Sequence, residues 1–143
     1  MATRNGSAEW KGDLQSGAGE VTVGEGVFSG SYSAASRFEE GEGTNPEELI
    51  AGAHAACFAM ALSNDLASAG HTPESVDATA RVQLRNVEGA PTIAQIDLDV
   101  VGNVRDLDED GFRQAAEQAK VNCPVSRALA SVPEINVSAR LAS

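Results

Sequence analysis

Along the first third of the chain, apolar and polar positions form short strand-like pieces. They fall at Ser7–Lys11 around Trp10, at Glu20–Val23 and at Gly30–Ala35. Gly12, Gly17, Gly19, Gly24 and Gly26 punctuate them as turns, and Glu39–Gly43 is a polar loop. At Asn45 the pattern changes. Asn45 is a good N-cap, Pro46 suits the first helical position, and Glu48 completes a capping-box-like spacing. Glu47 and Glu48 put negative charge where the helix dipole is positive. From Leu49 to Leu62 only His54 is polar, so this helix is apolar nearly all round and must bury most of its faces. It runs to about Ala69, where Gly70 can close it and Pro73 prevents its continuation.

Period two then returns. Val76, Ala78, Ala80, Val82 and Leu84 alternate with polar neighbours, as do Ile96, Leu98 and Val100, and Gly89 lies between the two runs. Two strands with one wet face, joined by a glycine turn, predict an antiparallel hairpin. A helix fits Asp108–Val121, with acids early and Lys120 late. Cys123-Pro124 interrupts it, and Pro124–Ser131 restarts as a short helix with Cys123 near its N-cap. Ile135, Val137, Ala139 and Leu141 close the chain as a strand. The order βββ-α-ββ-αα-β, with strands and helices segregated, predicts the α+β class. At 143 residues, with no internal repeat and no low-complexity linker, residues 1–143 are read as one domain.

Composition changes this picture in three ways. The aromatic content is only one Trp, one Tyr and four Phe, so the core is built from small residues that bury little area each. Such a chain gains from burial at a subunit contact. The net charge of −11 argues against nucleic-acid binding, which needs clustered Lys and Arg. Residues 1–10 carry no apolar run of the secretory kind, and Leu49–Leu62 falls short of the roughly 20 residues that span a bilayer. A soluble, cytoplasmic protein with no membrane partner is therefore expected.

Four positions could carry chemistry. Cys57 lies inside the apolar helix, where a thiol is either a small buried hydrophobe or, with a cation nearby, a nucleophile. Arg37 is the candidate cation, being the only Lys or Arg between Lys11 and Arg81; a weak surface pair with Glu39 or Glu40 is the other reading. Cys123 sits at a helix N-terminus, whose dipole lowers a thiol's pKa, so local reasoning alone makes it the more reactive thiol. His54, three residues before Cys57, is a base, a metal ligand or a core histidine with a hydrogen-bonded ring. His71 is read as a contact at the helix exit. A zinc site of Cys57, Cys123, His54 and a carboxylate lacks the close ligand spacing such sites use.

Several stretches together resemble one known family. They are Trp10-Lys11-Gly12-Asp13, Ser36-Arg37-Phe38, Gly43-Thr44-Asn45-Pro46-Glu47-Glu48-Leu49, Ala53-His54-Ala55-Ala56-Cys57-Phe58-Ala59-Met60 and Cys123-Pro124-Val125-Ser126. The chain resembles osmotically inducible protein C (OsmC) and the organic hydroperoxide resistance proteins. It is closer to the OsmC branch, because Arg37 just precedes the Gly-Thr-Asn-Pro-Glu run and His54 precedes Ala-Ala-Cys. The resemblance implies an OsmC-like α+β fold, with antiparallel sheets wrapped around a long buried central helix in an intertwined homodimer. It further implies a thiol peroxidase that reduces small-molecule hydroperoxides, organic ones preferentially, without metal or other cofactor. By motif position, Cys57 matches the peroxidatic cysteine, Cys123 the resolving one, Arg37 the activating arginine and Glu47 the carboxylate that orients it.

The implied chemistry suits those residue types. A guanidinium favours a thiolate and stabilises the departing alkoxide while staying protonated itself. A bidentate pair with Glu47 would hold it, and Phe58 and Met60 would make an alkyl-friendly pocket. Ten residues separate Glu47 from Cys57, about 15 Å of helical rise, so Arg37 must reach the thiol from another segment or subunit. Attack gives a sulfenic acid at Cys57, Cys123 condenses with it, and an external dithiol or lipoyl-type protein reductant restores both thiols. A non-catalytic ligand carrier or redox sensor using the same thiol pair is the alternative.

Overall fold

The computed structural model describes residues 2–143; Met1, first residue of the segment read for a leader, lies outside them. The chain forms two compact units, Met1–Leu49 and Ile50–Ser143.

In the first unit, β1 (Gly6–Lys11), β2 (Ala18–Val23) and β3 (Phe28–Tyr32) make an antiparallel meander in the order β1-β2-β3. Gly19 on β2 faces Trp10 on one side and Tyr32 on the other. A Cβ at Gly19 would lie 2.6 Å from the Tyr32 ring and 2.8 Å from Trp10. Its absence lets those two rings meet across the strand, with centroids 5.4 Å apart.

The strand expected through Ala35 stops at Tyr32, and a short helix α1 (Ala34–Phe38) follows. The reason is local hydrogen bonding. Ser33 Oγ accepts from the Ser36 amide at 3.1 Å, while the Ser33 amide donates to Ser36 Oγ at 2.8 Å. This reciprocal cap supplies partners that a strand would have to find on a neighbour. Ser36 Oγ also donates to the Thr44 carbonyl at 2.7 Å, and Asn45 Nδ2 to the Ser36 carbonyl at 2.9 Å. Gly43 makes the bend between them at φ 112, where a side chain would run into the Ser31 carbonyl.

Helix α2 (Pro46–Ser68) starts where Asn45 Oδ1 accepts from the Glu48 amide at 2.8 Å, as the sequence predicts. The Glu48 carboxylate accepts from the Thr44 hydroxyl instead of closing a capping box. Gly70, at φ 92, ends the helix: its amide donates to Ala67 and the His71 amide to Leu66, a Schellman closure. His71 therefore contributes its backbone at the exit. At 23 residues α2 is long and apolar enough to cross a membrane by composition, a length the apolar run Leu49–Leu62 understated. Its buried residues His54, Phe58, Leu62 and Leu66 fall four apart on one stripe, which is core packing. Ala53, Ala56 and Met60 on the other side are exposed, so a single chain does not bury most faces of this helix as its composition predicts.

The second unit holds a sheet in the order β4-β5-β6. Strands β4 (Ser75–Val87) and β5 (Ala90–Asn103) form the expected hairpin, longer than its alternation alone indicated. Its turn has positive φ at both Glu88 (52) and Gly89 (85), the primed geometry that matches strand twist. Strand β6 (Glu134–Leu141) pairs parallel with β5, so this sheet is mixed rather than antiparallel throughout. A parallel partner needs a long crossover, which α3 (Glu109–Asn122) and α4 (Pro124–Ala128) supply. Leu98 and Val100 of β5 join Phe58, Leu62 and Leu66 of α2 and Phe112, Ala116 and Ala119 of α3 in one buried cluster. Gly102 leaves room for the Phe112 ring against the β5 backbone.

Candidate active site

Cys57 stands mid-helix in α2, one residue before the buried Phe58, and is half-buried. Cys123 ends α3 and precedes α4, because Pro124 cannot continue the first helix but suits the first turn of the second. The residue before a proline is driven to extended backbone, and Cys123 has φ −55 and ψ 129. Its amide donates to Ala119 at 2.9 Å and its carbonyl accepts from Arg127 at 3.0 Å, so both helices anchor it. It is fully buried. Two thiols 66 positions apart in the chain thus meet at one packed cluster, close enough to shift each other's ionisation, and both are free.

Their ionisation is opposed. Burial pushes the Cys57 thiol up, and its neighbour Cys123 pushes it further, against a weaker contribution from the Val125 amide. Burial pushes Cys123 up as well, but it is outweighed by the Ser126 amide, the Cys57 thiol, the Ser126 hydroxyl and the Val125 amide, which bring it down overall. No regular capping hydrogen bond is closed on the sulfur, so these groups act as nearby dipoles at the start of α4. The surroundings thus favour a thiolate at Cys123 over one at Cys57. The local expectation for Cys123 agrees with this.

Sequence reasoning treated Ser126 only as part of a motif, and the structure gives it a partner. The fully buried His54 ring places Nε2 2.7 Å from Ser126 Oγ, and Nδ1 is buried without a hydrogen-bond partner. Burial lowers the His54 pKa, so the ring is neutral at physiological pH. The signal available in the sequence was Ser126 at the third position of a helix opened by Cys123.

Arg37 and Glu47 meet in the first unit. Arg37 Nε donates to Glu47 Oε1 at 2.7 Å, with the carboxylate nearly buried and the guanidinium about one-third exposed. Glu47 Oε2 is buried and has no partner, so the pair is held through one oxygen rather than in the expected bidentate fork. Arg37 also lies over Phe38, 5.4 Å from the ring centre. Among the described residues its terminal nitrogens carry no protein hydrogen bond. Beside it is an apolar cavity of about 290 Å³, lined by Trp10, Leu14, Tyr32, Phe38 and Pro46. Phe58, expected at a pocket, is instead sealed in the core, while Met60 borders a shallow surface cavity with Ala59, Ser63 and Val76. Among the described residues no group of three or more His, Cys, Asp or Glu is arranged to hold a metal ion.

Known proteins share this plan. Peroxiredoxin OsmC of Escherichia coli K12 is 45% identical over 127 residues, spanning 88% of this chain and 89% of that protein. Organic hydroperoxide resistance protein OhrB of Bacillus subtilis is 31% identical over 112 residues, spanning 78% and 81%. The crystal structure of that OhrB superposes with a TM-score of 0.72 over 96% of this chain and 98% of its own, at 26% identity. The model of the OsmC-like protein family matches residues 39–138, which include Glu47, His54, Cys57, Cys123 and Ser126. The chain belongs to the OsmC-like protein family.

Proposed function

We propose that the protein is a cysteine-based peroxidase for organic hydroperoxides, with hydrogen peroxide a poorer substrate. The observation that carries this reading is the meeting of two free thiols from distant parts of the chain at one packed cluster, one half-buried and one sealed. In the proposed cycle the Cys57 thiolate attacks one peroxide oxygen, the O–O bond breaks, and the alkoxide leaves and takes a proton to become the alcohol. The Cys57 sulfenic acid then condenses with Cys123 to a disulfide, releasing water. A dithiol, free or lipoyl-type on a protein, reduces the disulfide by exchange. No prosthetic group is required.

Arg37 answers a specific need. Burial keeps Cys57 protonated, and the attacking thiol must lose its proton. A guanidinium brought to Cys57, from the same or a second chain, would favour the thiolate and then the leaving oxygen. Glu47 holds Arg37 through Nε, which leaves the terminal nitrogens for those tasks. The cavity beside Arg37 supplies an apolar wall for an alkyl group.

The exposed side of α2, with Ala53, Ala56 and Met60, suits a homodimer built on that helix. The match across both compact units supports reading 1–143 as one OsmC-like domain, and we place the protein in the cytoplasm. Purified protein supplied with a dithiol and an alkyl hydroperoxide tests the activity. Many turnovers per chain are expected, whereas a sensor or ligand carrier would oxidise once and stop.

A further inference from the structure

His54 is a polar residue in the most apolar stretch of the chain, and the proposed cycle leaves it without a task. Its surroundings assign one. The neutral ring carries one proton on either Nε2 or Nδ1. Nδ1 is buried with no partner, while Nε2 faces Ser126 Oγ at 2.7 Å. A buried N–H without an acceptor is rarer in proteins than a lone pair without a donor. The proton therefore sits on Nε2, and Nδ1 carries the lone pair. Nε2–H donates, and Ser126 Oγ accepts. The hydroxyl hydrogen of Ser126 is then left to point elsewhere, and among the described residues no carbonyl receives it. Cys123 caps the same turn of α4 three residues earlier, and its sulfur is the neighbouring group that gains from the Ser126 hydroxyl.

We propose that His54 is a positioning residue for Cys123, acting through Ser126: the imidazole fixes the hydroxyl rotor so that Ser126 donates to the sulfur of the second thiol. The inference rests on reading Cys123 as the resolving cysteine. In disulfide closure the Cys123 thiolate attacks the Cys57 sulfur, an S–S bond forms, and the S–O bond of the sulfenic acid breaks. The departing hydroxide and the proton given up by Cys123 make water. A donor already aimed at Cys123 keeps its thiolate available while the site is closed to solvent. Burial of all three groups makes the donor effective, because water cannot replace it: His54 and Cys123 are fully buried and Ser126 is 5% exposed.

The test is an ultraviolet titration of thiolate absorbance in a Cys57→Ser background, where Cys123 is the only thiol. Ser126→Ala is expected to cut the Cys123 thiolate population at neutral pH roughly tenfold, the worth of one hydrogen bond to a charged group. His54→Leu should do nearly the same. His54→Gln, which presents an N–H close to Nε2, should retain most of the parent titration. With Ser126→Ala already in place, His54→Leu should add nothing. Nitrogen chemical shifts of the His54 ring in the unchanged protein should report the Nε2–H tautomer.

An unmoved titration in Ser126→Ala would overturn the proposal, as would an Nδ1–H tautomer. So would a His54→Leu shift that persists in full without Ser126, or a His54→Gln variant no better than His54→Leu. Should His54→Leu fail to fold, the Ser126→Ala titration and the ring tautomer still decide. No peroxide enters these measurements, so they fail or succeed separately from the peroxidase reading, whose failure would appear as no hydroperoxide consumed by the unchanged chain.

Discussion

In the proposed cycle the division of labour between the two thiols comes down to what surrounds each sulfur. Cys57 has burial against it and one amide in its favour, while Cys123 collects amides and a hydroxyl at a helix start. The proposed attacking thiol would thus depend on a cation supplied from elsewhere, which makes Arg37 the residue to change. Arg37→Ala is expected to slow single-turnover oxidation of Cys57 by on the order of 10²–10³, with less loss at high pH, where the thiol ionises unaided. Arg37→Lys should recover little, because an ammonium cannot pair with Glu47 and present separate donors to peroxide. Equal rates in all three proteins at every pH would reduce Arg37 to a surface pair. His54 offers a second check. Its folded pKa lies below the 6.5 of an exposed ring, so between those values the unfolded chain binds more protons. Stability is then full above about pH 6.5 and lost as pH falls toward the folded pKa, and denaturant melts of His54→Gln should show a flatter decline than the parent. Arg37 and both cysteines were legible as candidates in the sequence, the cysteines because the chain has only two and Arg37 because no other Lys or Arg lies between Lys11 and Arg81. Ser126 was not, since serine is common and its role depends on a partner 72 positions away.

At the scale of elements, the capping and breaking signals carried most of the information. Asn45-Pro46 and Gly70 bound α2, and Cys123-Pro124 divides α3 from α4, as read from the chain. Two features escaped. The helix α1 hid in an apparent strand because a serine-serine cap needs only four residues, too few for a period to show. The parallel pairing of β6 was invisible because alternation identifies a strand's faces and says nothing of its direction. The stripe His54, Phe58, Leu62 and Leu66 fixes the buried side of α2. Phe58→Ala should cost about 3–5 kcal/mol in chemical denaturation, as expected for a fully buried aromatic. Met60→Ala at an exposed position should cost far less in a dissociated chain. Equal costs would mean that the stripe has been assigned to the wrong face.

For the whole molecule, an acidic, aromatic-poor chain leaves an apolar helix face open. The proposed homodimer would cover it, and Met60→Asp should shift sedimentation from dimer to monomer. A monomeric parent at micromolar concentration would contradict that. Mass spectrometry after brief exposure to an alkyl hydroperoxide decides the order of events at the two sulfurs. The unchanged protein should show a Cys57–Cys123 disulfide. Cys123→Ser should show sulfenic or over-oxidised Cys57 and no further cycle, and Cys57→Ser should show no rapid oxidation. Rapid oxidation of Cys123 in Cys57→Ser, with Cys57 untouched in Cys123→Ser, would reverse the roles and make the helix-start thiol the one that meets peroxide.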